Sequence, residues 1–382
     1  MTHKKTGWLN KLKSAIRVAI LRVTRTPEKV DRSGAAWCSF DKTRRHLAAE
    51  KLSLRGKIQI GTDMLLHPDA VKRAISYARS SKAGGKGPRC AIVAFSDIHG
   101  NLGQQMQWGD FWVKQALTEA ITSLGGIVVE PFMQPDVMIH LFGGYYDLPP
   151  AREHVLWIHS HPEKLAPQFL RSYDRTYCIS RMECDSLAKA GVTCTWLPMA
   201  TGKRAFRTVG KIREEVVFVG NALPTMDGHR RIVDDMLQVL AKKPDIKFSV
   251  WGGLYRDLPP EIHMGDYLPY YELDHLYAHS AIVLNDHRPE MRERSFINPR
   301  ILDVIAAGGF VVSDKNTAIN DIFGDAVPQY SDAEELAAII KTYLGHPELR
   351  MERMQPARTI VAEYTWQRVA ATLMGKDCGG QL

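Results

Sequence analysis

From residue 89 onward, short and nearly uninterrupted apolar runs alternate with stretches of helical periodicity. Runs at 90–95, 127–130, 136–141, 155–159, 175–180 and 193–197 predict strands. Helices are expected at 111–124, closed by Gly125-Gly126, and near 181–190. The rhythm then restarts, with strands predicted at 215–219, 247–251, 281–284 and 310–313. Helices are expected near 228–241, 270–279, 298–307, 316–323 and 332–344, and a last one over 358–374. Strands that are apolar on both faces belong to a parallel sheet covered by helices on each side. The pattern therefore predicts an α/β protein with two Rossmann-like doubly wound domains facing a cleft, at 89–205 and 206–357. A linker is expected near 200–212, and the segment 358–382 is expected to cross back to the first domain. Ligands should sit at the carboxyl ends of the strands.

The first 88 residues follow a different pattern. Read as a helix, 8–23 align Trp8, Leu9, Leu12, Ala15, Ile16, Ala19, Ile20 and Val23 on one side. Lys11, Lys13, Arg17 and Arg22 fall on the other side or its flanks. The net charge of the chain is +8, and residues 1–30 carry +7 of it. The rest of the chain is thus nearly neutral, which argues against nucleic acid as a partner. A basic amphipathic helix with a tryptophan at its apolar edge suits an anionic membrane surface, here through residues 7–25. The same stripe also fits packing on the protein's own body, and a targeting peptide is a third reading. Residues 31–88 read as an extension that ends in the breaker-rich linker 80–88, with no function legible in it.

The 382 residues are 45% hydrophobic and 24% charged, an ordinary globular composition. No apolar run reaches the ~18–20 residues of a spanning helix. The six cysteines include no CxxC pair and make no disulfide framework in a chain this long, which fits a reducing cytoplasm. Neither GxGxxG, GxxxxGK[ST] nor HExxH occurs, and no two aspartates stand two apart. The expected chemistry is therefore metal-independent, with no bound cofactor.

The most informative stretch is 265–314. A strand ends at Leu284, a polar loop follows, and Asn298 and Pro299 stand as N-cap and first residue of the next helix. Free amides at that helix start, with Arg288, Arg292, Arg294 and Arg300 nearby, would suit a diphosphate. Asp303, one turn further on, would reach sugar or ribose hydroxyls. Arg300 and Asp303 read equally as an i, i+3 surface pair.

The run from Leu276 to Asp314 resembles the carboxyl-terminal domain of the CgeB-like (spore maturation protein) branch of the GT-B glycosyltransferases. The resemblance rests on Leu284-Asn285, His287-Arg288-Pro289, Met291-Arg292-Glu293, Phe296, Asn298, Arg300, Asp303 and Gly308 to Asp314. It extends through 217–221 and 173–201 and fades before residue 90; Ser295 stands where the family usually has glycine. It implies transfer of a sugar from a nucleotide-sugar donor, without metal, with donor in the second domain and acceptor in the first. The family's positions fall on Asn298, Arg300 and Asp303, with Asp303 where related enzymes hold the ribose. With the basic helix, it points to a peripheral enzyme at the inner face of the cytoplasmic membrane, acting on a cell-envelope or surface glycan or a lipid-linked one. A sugar-nucleotide epimerase or hydrolase on the same fold, or a non-catalytic sugar-nucleotide-binding protein, are the alternatives.

Proton removal from an acceptor hydroxyl needs a histidine or carboxylate of suitable pKa. Asp97 and His99 follow the first strand, Asp110 stands at the start of the next helix, and His161 follows the strand 155–159. Asp110 also reads as a helix cap and His99 as a surface histidine. Asn221, after strand 215–219, is expected to face the donor phosphates. Lys203, Arg204, Arg207, His229, Arg230 and Arg231 would add to phosphate neutralisation or form a solvated basic face.

Overall fold

The computed structural model describes residues 87–98, 105–106, 108–145, 149–202, 214–222 and 230–376. The basic segment 1–30, the extension up to residue 86, His99, Lys203, Arg204, Arg207 and His229 lie outside the described residues. One compact unit takes in the described residues up to Trp157, Ser172–Arg175 and those from Ala370. The other takes in Ile158–Arg171 and Thr176–Val369.

Strands β1 (Arg89–Val93), β2 (Ile127–Val128), β3 (Val137–Leu141), β4 (Glu153–Ile158), β5 (Arg175–Cys178) and β6 (Thr195–Trp196) form a six-stranded sheet ordered β2-β1-β3-β4-β5-β6. Cys90 pairs in parallel with Val128 on one side and Val137 on the other. Helices α1 (Gly109–Ser123), α2 (Pro167–Leu170) and α3 (Arg181–Lys189) punctuate this half. Ala91, Ile139, Leu156 and Trp157 are fully buried, as continuous apolar strands covered on both faces require.

The second sheet holds β7 (Glu214–Val219), β8 (Phe248–Trp251), β9 (His263–Gly265), β10 (Ser280–Asn285), β11 (Val311–Asp314) and β12 (Gln329–Tyr330). Its order is β12-β11-β10-β7-β8-β9, and every neighbouring pair is parallel. Its helices are α4 (Arg231–Lys242), α5 (Leu273–Ala278), α6 (Pro289–Glu293), α7 (Pro299–Ala307), α8 (Thr317–Phe323), α9 (Ala333–Gly345), α10 (Pro347–Val361) and α11 (Trp366–Leu373). The chain winds outward from β7 to β9, then returns to place β10 on β7's other side. That reversal is a topological switch point, where doubly wound sheets open a crevice for ligands. The loops leaving β7 and β10 therefore define where a site in this unit belongs. Close backbone approach shapes this edge: a Cβ at Gly252 would lie 2.2 Å from the Gly220 carbonyl oxygen.

Four elements differ from the sequence expectation. A single helix over 358–374 is replaced by α10 and α11, because the backbone turns at 362–365 and the Thr365 hydroxyl accepts the Arg368 amide at 3.4 Å. Helix α1 begins at Gly109 with Trp108 in the N-cap position, so Asp110 is not the cap. Strands β9 and β12, only three and two residues long, were not foreshadowed by any apolar run.

Candidate functional site

The residue run after β10 is held from four directions. Asn285 accepts a hydrogen bond from Arg300 Nη1 at 2.8 Å and donates to Ser313 at 2.9 Å. Asp286 receives Arg230 Nε at 2.9 and 2.8 Å and Nη2 at 2.5 Å, an ion pair buried on both sides. Nδ1 of His287 lies 2.6 Å from Asp314 Oδ1, and its Nε2 accepts the Asn298 amide at 3.1 Å. Arg288 emerges half-buried and pairs with Glu290. Arg230 was expected to neutralise phosphate or lie on a solvated face; the Asp286 pairing, and its further bond to the Asn221 carbonyl at 3.2 Å, make it a buried strut.

Asn298 caps α7, its Oδ1 accepting the Arg300 amide at 3.0 Å. Pro299 has no N–H, and the Ile301 amide is bound to the Asn298 carbonyl at 3.1 Å. The expected free amides at this helix start are therefore taken: that part of the anion-site expectation is corrected, because cap and loop satisfy the donors first. Positive charge facing the loop rests instead on side chains. Arg292 is half-buried, 3.7 Å from Asp314, and lines a cavity of about 450 Å³ with Met182, Lys315, Thr317, Gln329 and Arg353.

Arg300 lies with its guanidinium carbon 4.9 Å from the Phe218 ring centroid, and burial lowers its pKa. Asp303 is buried; its Oδ1 accepts from Thr201 at 2.6 Å and its Oδ2 from Tyr270 at 3.1 Å. The two residues do not form an i, i+3 surface pair, since each is bound by other groups. Asn221 is exposed, and its Oδ1 holds the Gly253 amide at 2.9 Å.

His161 belongs to the same unit as these residues. It adopts a left-handed conformation (φ 56°, ψ 51°) before a single helical turn at Pro162–Lys164. Its Nδ1 lies 2.9 Å from Glu163 and 3.5 Å from Arg288 Nη1. A carboxylate only accepts, so Nδ1 carries the proton and Nε2 is the basic nitrogen. Burial lowers the pKa of His161, with Lys164 and Arg288 adding to the effect and Glu163 opposing it.

In the other unit, Asp97 and Asp110 cluster at the end of β1. Lys114 Nζ lies 2.7 Å from both Asp97 oxygens, and Asp97 also accepts the Ala94 amide at 2.9 Å. Asp110 accepts the Ser96 amide at 2.9 Å. Burial, with the Asp97 charge contributing, pushes the Asp110 carboxyl up to about 6. The structure thus gathers Asn221, Arg288, Asn298, Arg300, Asp303 and His161 in one unit and Asp97 with Asp110 in the other. It adds Asp286, His287, Asp314 and Thr201, which sequence reasoning passed over. The signal available for two of them, Asp286 and His287, was the consecutive polar run Asn285-Asp286-His287-Arg288 at the end of an apolar strand. Among the described residues, no group of three or more His, Cys, Asp or Glu is placed to hold a metal ion.

Residues 230–375 match the glycosyl transferase-like family model. The protein thus carries a glycosyltransferase domain, an enzyme domain. Its two parallel six-stranded sheets with surrounding helices are the GT-B fold. An α-glucosyltransferase solved in complex with UDP is similar at TM-score 0.53 and 11% identity, covering 76% of this chain and 100% of that one. Sucrose-phosphate synthase from Thermosynechococcus elongatus gives 0.51 and 11%, covering 75% and 97%. AviGT4, a glycosyltransferase involved in avilamycin A biosynthesis, gives 0.51 and 16%, covering 75% and 96%. No curated relative matches the sequence.

Proposed function

We propose that this protein transfers a sugar from a nucleotide-sugar donor to a glycan or lipid-linked glycan of the cell envelope or surface, without a bound metal. The carrying observation is the pinned loop after β10, at the switch point of the second sheet and inside the matched domain. In this reading Arg288 and Arg292 meet the donor phosphates, Asn298 and Arg300 shape their seat, Asn221 borders it, and Asp303 reaches the ribose. His161, with Nε2 basic and Arg288 beside it, takes the acceptor's proton; Asp97 and Asp110 serve the acceptor side. The motif from Leu276 to Asp314 supports placing the chain in the CgeB-like branch.

The experiment measures donor consumption by the purified full chain in EDTA, with and without an envelope glycan acceptor. Acceptor-dependent consumption in EDTA is the expected result. Consumption without acceptor would favour an epimerase or hydrolase, none at all a binding protein, and magnesium-dependent rescue would overturn the metal-free mechanism.

The enzyme is proposed to work in the cytoplasm, peripheral to the inner membrane face through residues 7–25. Support comes from the apolar stripe and the +7 charge of residues 1–30. Among the described residues, no helix is long and apolar enough to cross a membrane. Cosedimentation with anionic liposomes at low salt, weakening as ionic strength rises, is expected, and its absence would remove the membrane claim.

A further inference from the structure

Three thiols that the proposed reaction does not use converge at one end of the first sheet. Cys178 ends β5, Cys184 lies in the first turns of α3, and Cys194 precedes β6. The sulfurs of Cys184 and Cys194 are 3.0 Å apart, about 1 Å longer than a disulfide bond. The contact joins α3 to the segment just before β6. Since no such group among the described residues is placed to hold a metal, covalent sulfur chemistry is what this cluster offers.

We infer that Cys184 and Cys194 are a redox modification site, forming a reversible intramolecular disulfide on exposure to peroxide. Cys184 is the thiol that reacts first. The neighbouring thiols of Cys178 and then Cys194, the latter in direct contact with it, lower its pKa. Burial does the opposite to Cys178, whose pKa is raised well above the usual thiol value. Cys184 is 7% exposed and Cys194 half-buried, enough for a small neutral oxidant, whereas Cys90 and Cys178 are fully buried.

The chemistry closes in two steps. The Cys184 thiolate attacks one oxygen of hydrogen peroxide, breaking the O–O bond and releasing hydroxide, and becomes a sulfenic acid. The Cys194 sulfur then attacks the Cys184 sulfur, the S–O bond breaks, and water leaves once the thiol proton and the hydroxyl combine. Two electrons pass from the thiol pair to peroxide, and a dithiol reductant reverses the change. The modified turn also touches the loop after β10. The Ser180 hydroxyl donates to the Arg294 carbonyl at 2.6 Å, and Glu183 pairs with Arg294 at 3.2 Å.

Trypsin separates the three thiols, placing Cys178 in 176–181, Cys184 in 182–189 and Cys194 in 190–203. The full chain is treated with graded hydrogen peroxide, alkylated and mapped by mass spectrometry. Met182, 48% exposed and on the Cys184 peptide, reports the dose received through its sulfoxide. The expected product is 182–189 joined to 190–203, restored to two free peptides by dithiothreitol. In Cys194→Ser the reaction is expected to stop at a Cys184 sulfenic acid that dimedone traps. Full alkylation of both peptides at doses that oxidise Met182, or joining of either to any other cysteine peptide, overturns the assignment. Wild-type mapping decides the matter alone if the variant does not fold.

Discussion

Nδ1 of His287 donates to Asp314 at 2.6 Å, with both side chains essentially out of solvent. Because the carboxylate fixes the proton on Nδ1, Nε2 is left to accept the Asn298 amide at 3.1 Å. The end of β11 thereby sets where α7 begins, through one imidazole ring. Removing the carboxylate strands a buried donor and the His287 amide, which also binds Asp314 at 3.2 Å. Asp314→Ala is expected to cost about 2–3 kcal/mol of stability, read as a lower urea midpoint at unchanged slope. Asp314→Asn keeps an acceptor oxygen and should lose about half as much.

Asp110 makes stability depend on pH in a direction opposite to most carboxylates. Its pKa is raised from 3.8 to about 6 by burial, so the folded state holds the proton more tightly than the unfolded one. The contribution is fully present below about 3.8 and is lost as pH rises through about 6. Asp110→Asn keeps an acceptor for the Ser96 amide and removes the titration. It should therefore stabilise the protein by up to about 3 kcal/mol at pH 8 and by about half as much at pH 5. Urea unfolding of both proteins at the two pH values checks this; an equal effect at both would show that Asp110 titrates as in the unfolded chain.

The parts of this protein legible in its sequence are those whose signals are local. Strand β10 is an unbroken apolar run, and α7 announces itself by Asn298, Pro299 and the C-capping Gly308 at φ 92°. Helix α10 was missed because Pro356 lies inside it and its first turns carry charge on all sides, masking any apolar stripe. The candidate site was legible as a place rather than as a network. Arg230 and Asp286 are 56 residues apart, so neither spacing nor periodicity tells that one neutralises the other. For the same reason the sequence suggested free amides at α7, whereas His287 and the cap had already claimed them.

The arginines around that loop should separate by function. Arg288 is half-buried and, among the described residues, its side chain pairs with Glu290, so its loss should leave the fold intact. On the proposed donor reading, Arg288→Ala weakens binding of the donor's nucleoside diphosphate by roughly 10- to 100-fold, about 1.5–3 kcal/mol, with stability unchanged. Arg300→Ala should weaken binding and also destabilise, because the Asn285 side chain loses its 2.8 Å partner and the space over Phe218 empties. Calorimetric titration with whichever of UDP, GDP, ADP, CDP and dTDP the unmodified protein binds, beside thermal unfolding, distinguishes the two. Full affinity for that nucleotide in both variants would move the donor elsewhere.

His161 carries the sharpest prediction about the reaction itself. As a general base it must be neutral, with Nε2 turned to the acceptor hydroxyl and Nδ1–H held by Glu163 at 2.9 Å. Burial, Lys164 and Arg288 place its pKa below the ordinary 6.5, so activity should hold down through that value and fall only at lower pH. Glu163 raises the His161 pKa, both by its hydrogen bond and by its charge. In Glu163→Gln the charge is gone while an acceptor oxygen remains, so the acid limb of kcat/KM should move to still lower pH. His161→Ala should lower kcat by roughly 10²- to 10⁴-fold with nucleotide affinity little changed. An acid limb that stays in place in Glu163→Gln would mean that another group takes the proton, and the carboxyl of Asp110, at about 6, would be the next to test.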